Sequence, residues 1–255
     1  MARCASPIHL GVWRVTFSPF KGALLASILW FSCSAPAMAF ADKVSTDWLG
    51  GIPENNQLAY EVTRKGKRHG FQVFDFSRDE AGNLIVDVHI EIVFKFGPLT
   101  LFRYAHKNRE IWRDGKVQSI VSKTNNNGDA EFTDLQRTGD VLSGSGTKYA
   151  GAMADPIMPT SYFNPNFIRQ TRFVSTQDGR LLEAEVAEIG RESVVLPTGS
   201  VETTRFRLLG KLAIDIWYTD AGQWVRTEFS RRGNVLLISP IDPANLPPRS
   251  DWARP

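Results

Sequence analysis

The chain has 255 residues, with 30 Lys and Arg against 27 Asp and Glu, and only two cysteines. The leader of 39 residues holds three of the basic residues (Arg3, Arg14, Lys21), no acidic one, and both cysteines, Cys4 and Cys33. Beyond it the charges balance at 27 of each sign. The basic excess is thus confined to the leader and argues neither for nucleic acid nor for an anionic membrane surface as the partner of the rest, since such partners call for a basic excess or patch. A remainder without cysteine has no disulfide, thiolate metal site or cysteine nucleophile, and at about 216 residues it can bury a core without covalent staples.

The leader itself has the layout of a secretory signal peptide: basic residues, an apolar run GALLASILWFSCS (22–34), then small residues APAMA. Ala37 and Ala39, one residue apart, predict cleavage after Ala39, with Ala41 the alternative. No charge occurs from Gly22 through Ala41, so an uncleaved anchor is the competing reading. Trp30-Phe31-Ser32 before Cys33 does not fit a lipobox. After cleavage the expectation is a periplasmic protein with no membrane span.

Residues 40–56 read as a linker, and residues 57–239 as a single β-rich domain. The first strands are QLAYEVTR (57–64) and FQVFDFSR (71–78), separated by KGKRHG. The third, NLIVDVHIEIVFKF (83–96), is apolar at every even position from Leu84 to Phe96, while Asp87, His89, Glu91 and Lys95 hold odd ones. Period two means a half-buried antiparallel strand. At about 3.3 Å per residue it would run to roughly 40 Å, and so long a strand must twist and curve. LFRYAHKNREIWR (101–113), KVQSIVSKT (116–124) and DAEFTDLQRT (129–138) follow, punctuated by Asp114-Gly115, Asn127-Gly128 and Gly139-Asp140. Later strands cover 180–190, 192–197, 201–210, 212–219, 223–232 and 234–239. The fold class is all-β: a curved antiparallel up-and-down meander forming an open or closed barrel-like sheet. The tail 240–255, with five prolines, reads as extended or disordered.

One stretch departs from the pattern. In PTSYFNPNFIRQTRF (159–173), Asn164-Pro165 is a helix start, with the cap and the preset proline angle together. Phe163 before the cap and Phe167-Ile168 after it can staple the turn to an apolar surface. A short helical insertion near residues 164–171 is expected, lying as a lid across the mouth of the curved sheet.

The blocks AYEV, FRYAHKNREIWRDGKV, PTSYFNP, RQTRFVSTQDGRL and IDIWYTDAGQWVR resemble a family of bacterial exported proteins catalogued only as a domain of unknown function, over about residues 57–238. The resemblance implies a secreted β-rich domain and carries no catalytic residue. The architecture also resembles periplasmic lipoprotein carriers, whose curved sheet half-closes over a greasy cavity; that likeness is one of fold only.

Signatures of chemistry are sparse. The chain has no G-x-S-x-G elbow, H-E-x-x-H or phosphate loop. Ser143 and Ser145 in SGSGT read as a flexible turn. Asn125, Asn127 and Asp129 have an alternate spacing that suits oxygen donors to Ca²⁺, but Gly128 falls two places before the sixth position, where a calcium loop has its glycine, so a hairpin is expected. No cofactor, metal site or catalytic residue is assigned, and a hydrolase using His106 is the least favoured reading. Aromatics and arginines carry the leading one: Tyr104, Trp112, Tyr162, Phe163 and Trp217 as lining of an apolar cavity, with Arg103 and Arg169 pairing a carboxylate or phosphate head. The function expected is binding or carriage of an apolar or lipid-like molecule. The alternative is a structural envelope protein with a filled core, whose tail or sheet edge recruits a protein partner.

Overall fold

The computed structural model describes residues 43–196, 199–210, 213–231, 234–248 and 255. The leader, with Ala39 and Ala41, lies outside them. Eight strands come first: β1 (Gln57–Arg64), β2 (Lys67–Arg78), β3 (Leu84–Phe96), β4 (Leu99–Arg113), β5 (Lys116–Asn126), β6 (Asp129–Thr138), β7 (Val141–Gly146) and β8 (Tyr149–Ala154). Three short ones, β9 (Met158–Pro159), β10 (Arg172–Val174) and β11 (Leu181–Glu183), lead to β12 (Glu185–Leu196), β13 (Gly199–Leu209), β14 (Ala213–Tyr218), β15 (Trp224–Arg231) and β16 (Asn234–Pro240).

Thirteen of these form one antiparallel sheet in the order β12-β13-β14-β15-β16-β1-β2-β3-β4-β5-β6-β7-β8. Each strand pairs with its sequence neighbour, as the alternating pattern and tight turns predict, except at one seam. There β1 pairs with β16, Tyr60 opposite Pro240 and Thr63 opposite Leu237, so two meanders become one sheet. Register shifts at Val62/Thr63, Phe94/Lys95, Ile111/Trp112, Glu188/Gly190 and Trp217/Tyr218 bend the strands, as bulges do. Inward residues as far apart as Val86, Leu135, Leu142, Phe206 and Ile238 join one apolar cluster, which only a curved sheet allows. The β5–β6 connection is a hairpin: Asn127 and Gly128 take positive φ, and Asn125 Oδ1 accepts from the Gly128 amide at 2.8 Å.

Residues 155–184 run from the end of β8 to the start of β12, the two edge strands, and contain the small sheet β11-β10-β9. A 3-10 turn, Pro165–Arg169, starts where Asn164-Pro165 predicts it, and Asn164 Oδ1 accepts from the Asn166 amide at 3.0 Å. The segment is a plug, not the expected lid. Phe163, Phe167 and Phe173 are all buried. Phe163 packs edge-on against Trp112 and Phe76 at 5.2 and 5.5 Å, and Phe167 lies 4.4 Å from Phe173. Lifting it would return three phenylalanines to water, at roughly 2 kcal/mol or more each.

Two flanking segments also depart from expectation. Residues 43–56, read as a linker, pack into the fold: Val44 is buried in the main cluster, and Trp48 stacks on Trp112 at 6.2 Å. The start of the tail does likewise. Ile241 donates its amide to Ala59, Asp242 caps the turn Pro243–Asn245, and Ile241 and Leu246 cover Ala59 and Val73. Composition hid both because a few apolar residues anchor each otherwise polar run.

Candidate functional site

The plug fills only part of the interior. Toward the β3–β4 turn a cavity of about 490 Å³ remains, lined from β3 by Ile90, Ile92 and Phe94 and from β4 by Phe102, Tyr104 and His106. Val62, Gln72, Phe229, Leu236 and Ile238 close its sides, and Tyr162 with residues 175–177 closes its inner end. The alternation of β3 and β4 dictates this lining: the even positions of each strand face inward, and the strands pair Ile90 with His106, Ile92 with Tyr104 and Phe94 with Phe102. Among the described residues the lining contains no Lys, Arg, Asp or Glu.

The inner end is polar for a structural reason. Ser122, Thr124 and Thr133 occupy inward positions on β5 and β6, where a sandwich core would have aliphatics. Their hydroxyls donate to plug carbonyls: Ser122 and Thr133 to Thr176, the latter at 3.2 Å, and Thr124 to Gln177 at 3.3 Å. Buried backbone acceptors need such partners. Gln177 then links the plug to the wall, accepting from the Tyr104 hydroxyl at 3.2 Å and donating to Glu131 at 2.5 Å. Lys148 bridges Glu131 at 3.0 Å and Asp178 at 3.5 Å, and Arg180 also pairs with Asp178.

His106 Nδ1 lies 2.8 Å from Thr124 Oγ1. This hydrogen bond fixes the ring's orientation, and the direction of donation follows the imidazole tautomer. Burial, and secondarily the nearby His89, lower its pKa to about 4, so the imidazole is neutral at neutral pH. The Tyr104 hydroxyl is pushed well above its ordinary range by burial and then by the Glu131 charge. The arrangement therefore offers neutral hydrogen-bonding groups at one end and aliphatic and aromatic walls elsewhere. Among the described residues no group of three or more His, Cys, Asp or Glu is placed to hold a metal ion.

Of the seven residues expected to converge, Tyr104 and Tyr162 line this cavity. Trp112 and Phe163 belong to the packed core, where the Trp112 indole donates to Glu110 at 2.8 Å. Arg103 is exposed on the other face of β4, its odd position opposing the inward even ones. Arg169 donates Nη2 to the Val44 carbonyl at 2.7 Å, tying the N-terminal segment to the plug. Trp217 sits in a separate cluster with Val194 and Val225, its indole donating to Glu192 and its ring 4.9 Å from the Arg205 guanidinium. Phe94, Phe102 and Phe229 line the cavity and were missed, although the same alternation that makes β3 a strand assigns Phe94 to the inner face.

The model of a family described as Domain of unknown function (DUF6134) matches residues 60–240. Among solved structures, a beta-barrel-like protein of Domain of Unknown Function DUF1849 from Brucella abortus is similar in fold, with a TM-score of 0.53 at 10% identity, over 72% of this chain and 94% of that one. No curated protein matches the chain.

Proposed function

The chain belongs to the DUF6134 family, and we propose that it binds or carries an apolar, lipid-like molecule in the cavity between β3, β4 and the plug. One observation carries this reading: a space of about 490 Å³ walled by Ile90, Ile92, Phe94, Phe102, Phe229 and Leu236, with a few polar groups at one end. Small-molecule sites are of this size and make-up, a mostly apolar concavity of roughly 300–1,000 Å³ with sparse oriented polar groups. Ligand burial supplies the driving force, at about 25 cal/mol per Å² of apolar surface covered. His106, Tyr104 and Gln177 orient it. In this reading His106 is a neutral hydrogen-bonding group and not a base. The signal-peptide layout of the leader supports a periplasmic setting for this reading, where an apolar molecule needs cover from water.

Native mass spectrometry of protein recovered without detergent tests the proposal. The expected result is an extra mass that denaturation releases as an apolar compound, lost when Ile92→Trp fills the space. A bare polypeptide mass, unchanged after incubation with envelope lipids, would overturn it. That outcome favours the second reading, a structural envelope domain, which the solid packing of Phe163, Phe167 and Phe173 through the rest of the interior supports.

A further inference from the structure

The β3–β4 hairpin outreaches its neighbours. β2 pairs with β3 only as far as Gly70 opposite Ile92, and β5 pairs with β4 only from Asn126 opposite Tyr104. β3 and β4 continue together beyond both limits, pairing Val93 with Arg103, Phe94 with Phe102 and Phe96 with Leu99. The result is a two-stranded tongue standing beyond the rim at the cavity end. Its inward residues Phe94 and Phe102 line the cavity, while its tip leaves Phe96 76%, Leu99 60% and Leu101 58% exposed. Three large apolar side chains so exposed on one hairpin tip are more than the scattered apolar residues of an ordinary surface.

The tongue itself carries charge of one sign, although the β5–β6 turn on one flank, bonded to Arg103 through Asn127, holds the exposed Asp129. Lys95 and Arg103 are exposed on it, and no Asp or Glu occurs between Glu91 and Glu110. The β1–β2 turn beside it adds exposed Lys65 and Lys67, and the Arg64 guanidinium sits 5.8 Å from the Phe94 ring. Apolar side chains at a tip with cations behind them match a bilayer interface, where the former enter the acyl boundary and the latter meet anionic headgroups. A protein groove would satisfy the apolar tip alone; the basic flank selects an anionic surface. The balanced charge of the chain beyond the leader does not preclude this, because what matters is the local patch.

We propose that the β3–β4 tongue docks the open end of the sheet onto an anionic lipid surface. Phe96, Leu99 and Leu101 insert, and Lys95, Arg103, Lys65 and Lys67 bind headgroups. The mouth formed by Phe94 and Phe102 then faces the membrane. The inference rests on the tongue and stands whether or not the cavity is filled.

The test is co-sedimentation of protein, recovered without detergent from cells expressing the full chain, with vesicles of phosphatidylcholine alone and of equal parts phosphatidylcholine and phosphatidylglycerol. Binding to the mixed vesicles should exceed binding to phosphatidylcholine by about tenfold or more, given how strongly each basic residue near an anionic surface contributes. It should fall as salt rises from about 0.1 M to about 1 M, where the Debye length shrinks from ~10 Å to ~3 Å. Phe96→Ser with Leu101→Ser, and separately Lys95→Glu with Arg103→Glu, should each abolish the preference while circular dichroism stays that of the parent, because all four side chains are exposed. Equal binding to both vesicle types, or unchanged binding by both variants, overturns the proposal. So does a parent that is dimeric and ignores vesicles while the Phe96→Ser, Leu101→Ser protein is monomeric, which assigns the tip to a second copy.

Discussion

The Trp112 indole donates to Glu110, 2.8 Å from Nε1 to Oε2 and two residues back along the same inward face of β4. Glu110 also accepts from Asn108 at 2.7 Å and from Ser161 of the plug at 3.1 Å, and it is fully buried. Burial outweighs these three donors and pushes its pKa up to about 7. A carboxyl raised in the folded state stabilises the fold most below its unfolded pKa near 4.5 and loses that contribution as pH rises to about 7. His106, on the same face, has the opposite sign. Held down to about 4, it contributes above its unfolded pKa near 6.5 and loses that as pH falls toward 4. The two slopes oppose each other between about pH 4.5 and 6.5. Glu110→Gln should therefore unmask a stability that rises with pH in that window, and His106→Gln one that falls, each by on the order of 3 kcal/mol relative to the parent. Urea midpoints measured from pH 4 to pH 8 would show it; parallel curves for all three proteins would refute the assignment.

Glycine at 146 allows the plug's loop to lie on the wall. A Cβ there would stand 2.5 Å from the Asp178 carbonyl oxygen and 2.8 Å from the Gly179 Cα, both backbone atoms. Gly146→Ala should force residues 175–180 off β6 and β7 and cost about 2 kcal/mol or more. Because Thr176 and Gln177 close the cavity, binding of a neutral fluorescent lipid should weaken in parallel. Gly210→Ala, with nothing within 4 Å of the added atom, is the control and should match the parent.

Local pattern and nonlocal partnership divide what the sequence reveals. The alternation of Leu84 to Phe96 forms β3, Asn127-Gly128 forms a hairpin, and Asn164-Pro165 begins a turn, each through chemistry contained within a few residues. The seam of β1 with β16 has no such local mark. Ser122, Thr124 and Thr133 look like a solvated face until the plug carbonyls they satisfy are known, and Phe167 looks like one side of a staple until Phe173 and Tyr162 close around it. The site was half legible. Tyr104 and Tyr162 line the cavity, as their aromatic character suggests, whereas Arg103 and Trp217 do not. The period of two puts Arg103 and Trp217 on the outer face of the sheet, where Trp217 is buried against Val194 and Val225, and Phe94 and Phe102 on the inner face.

A direct measurement tests the plug formed by residues 159–173. Phe167 is fully buried, with Tyr162 5.0 Å and Phe173 4.4 Å from its ring. Phe167→Ala should cost about 3–5 kcal/mol, as large-to-small changes at buried aromatics do. A gate would behave otherwise, with stability near that of the parent and faster ligand uptake in stopped-flow fluorescence.

Arg169 tests whether the N-terminal segment is part of the fold. It donates to the Val44 carbonyl at 2.7 Å, Asn166 Nδ2 donates to the Thr46 carbonyl at 3.0 Å, and the Ser45 amide donates to Asp220 at 2.9 Å. These bonds clamp residues 44–46 between the plug and the β14–β15 turn, seating Val44 in the core and Trp48 on Trp112. The family match begins at residue 60, outside this segment. Arg169→Ala removes a charge-assisted bond to a part-buried carbonyl and should cost about 1–3 kcal/mol. It should also expose Trp48 to chymotrypsin several-fold faster than in the parent, because local opening governs cleavage. Arg78→Ala, which removes only an exposed bond to the Gly82 carbonyl, should change neither stability nor cleavage. If Arg169→Ala matches Arg78→Ala in both readouts, Val44 and Trp48 hold the segment without the clamp.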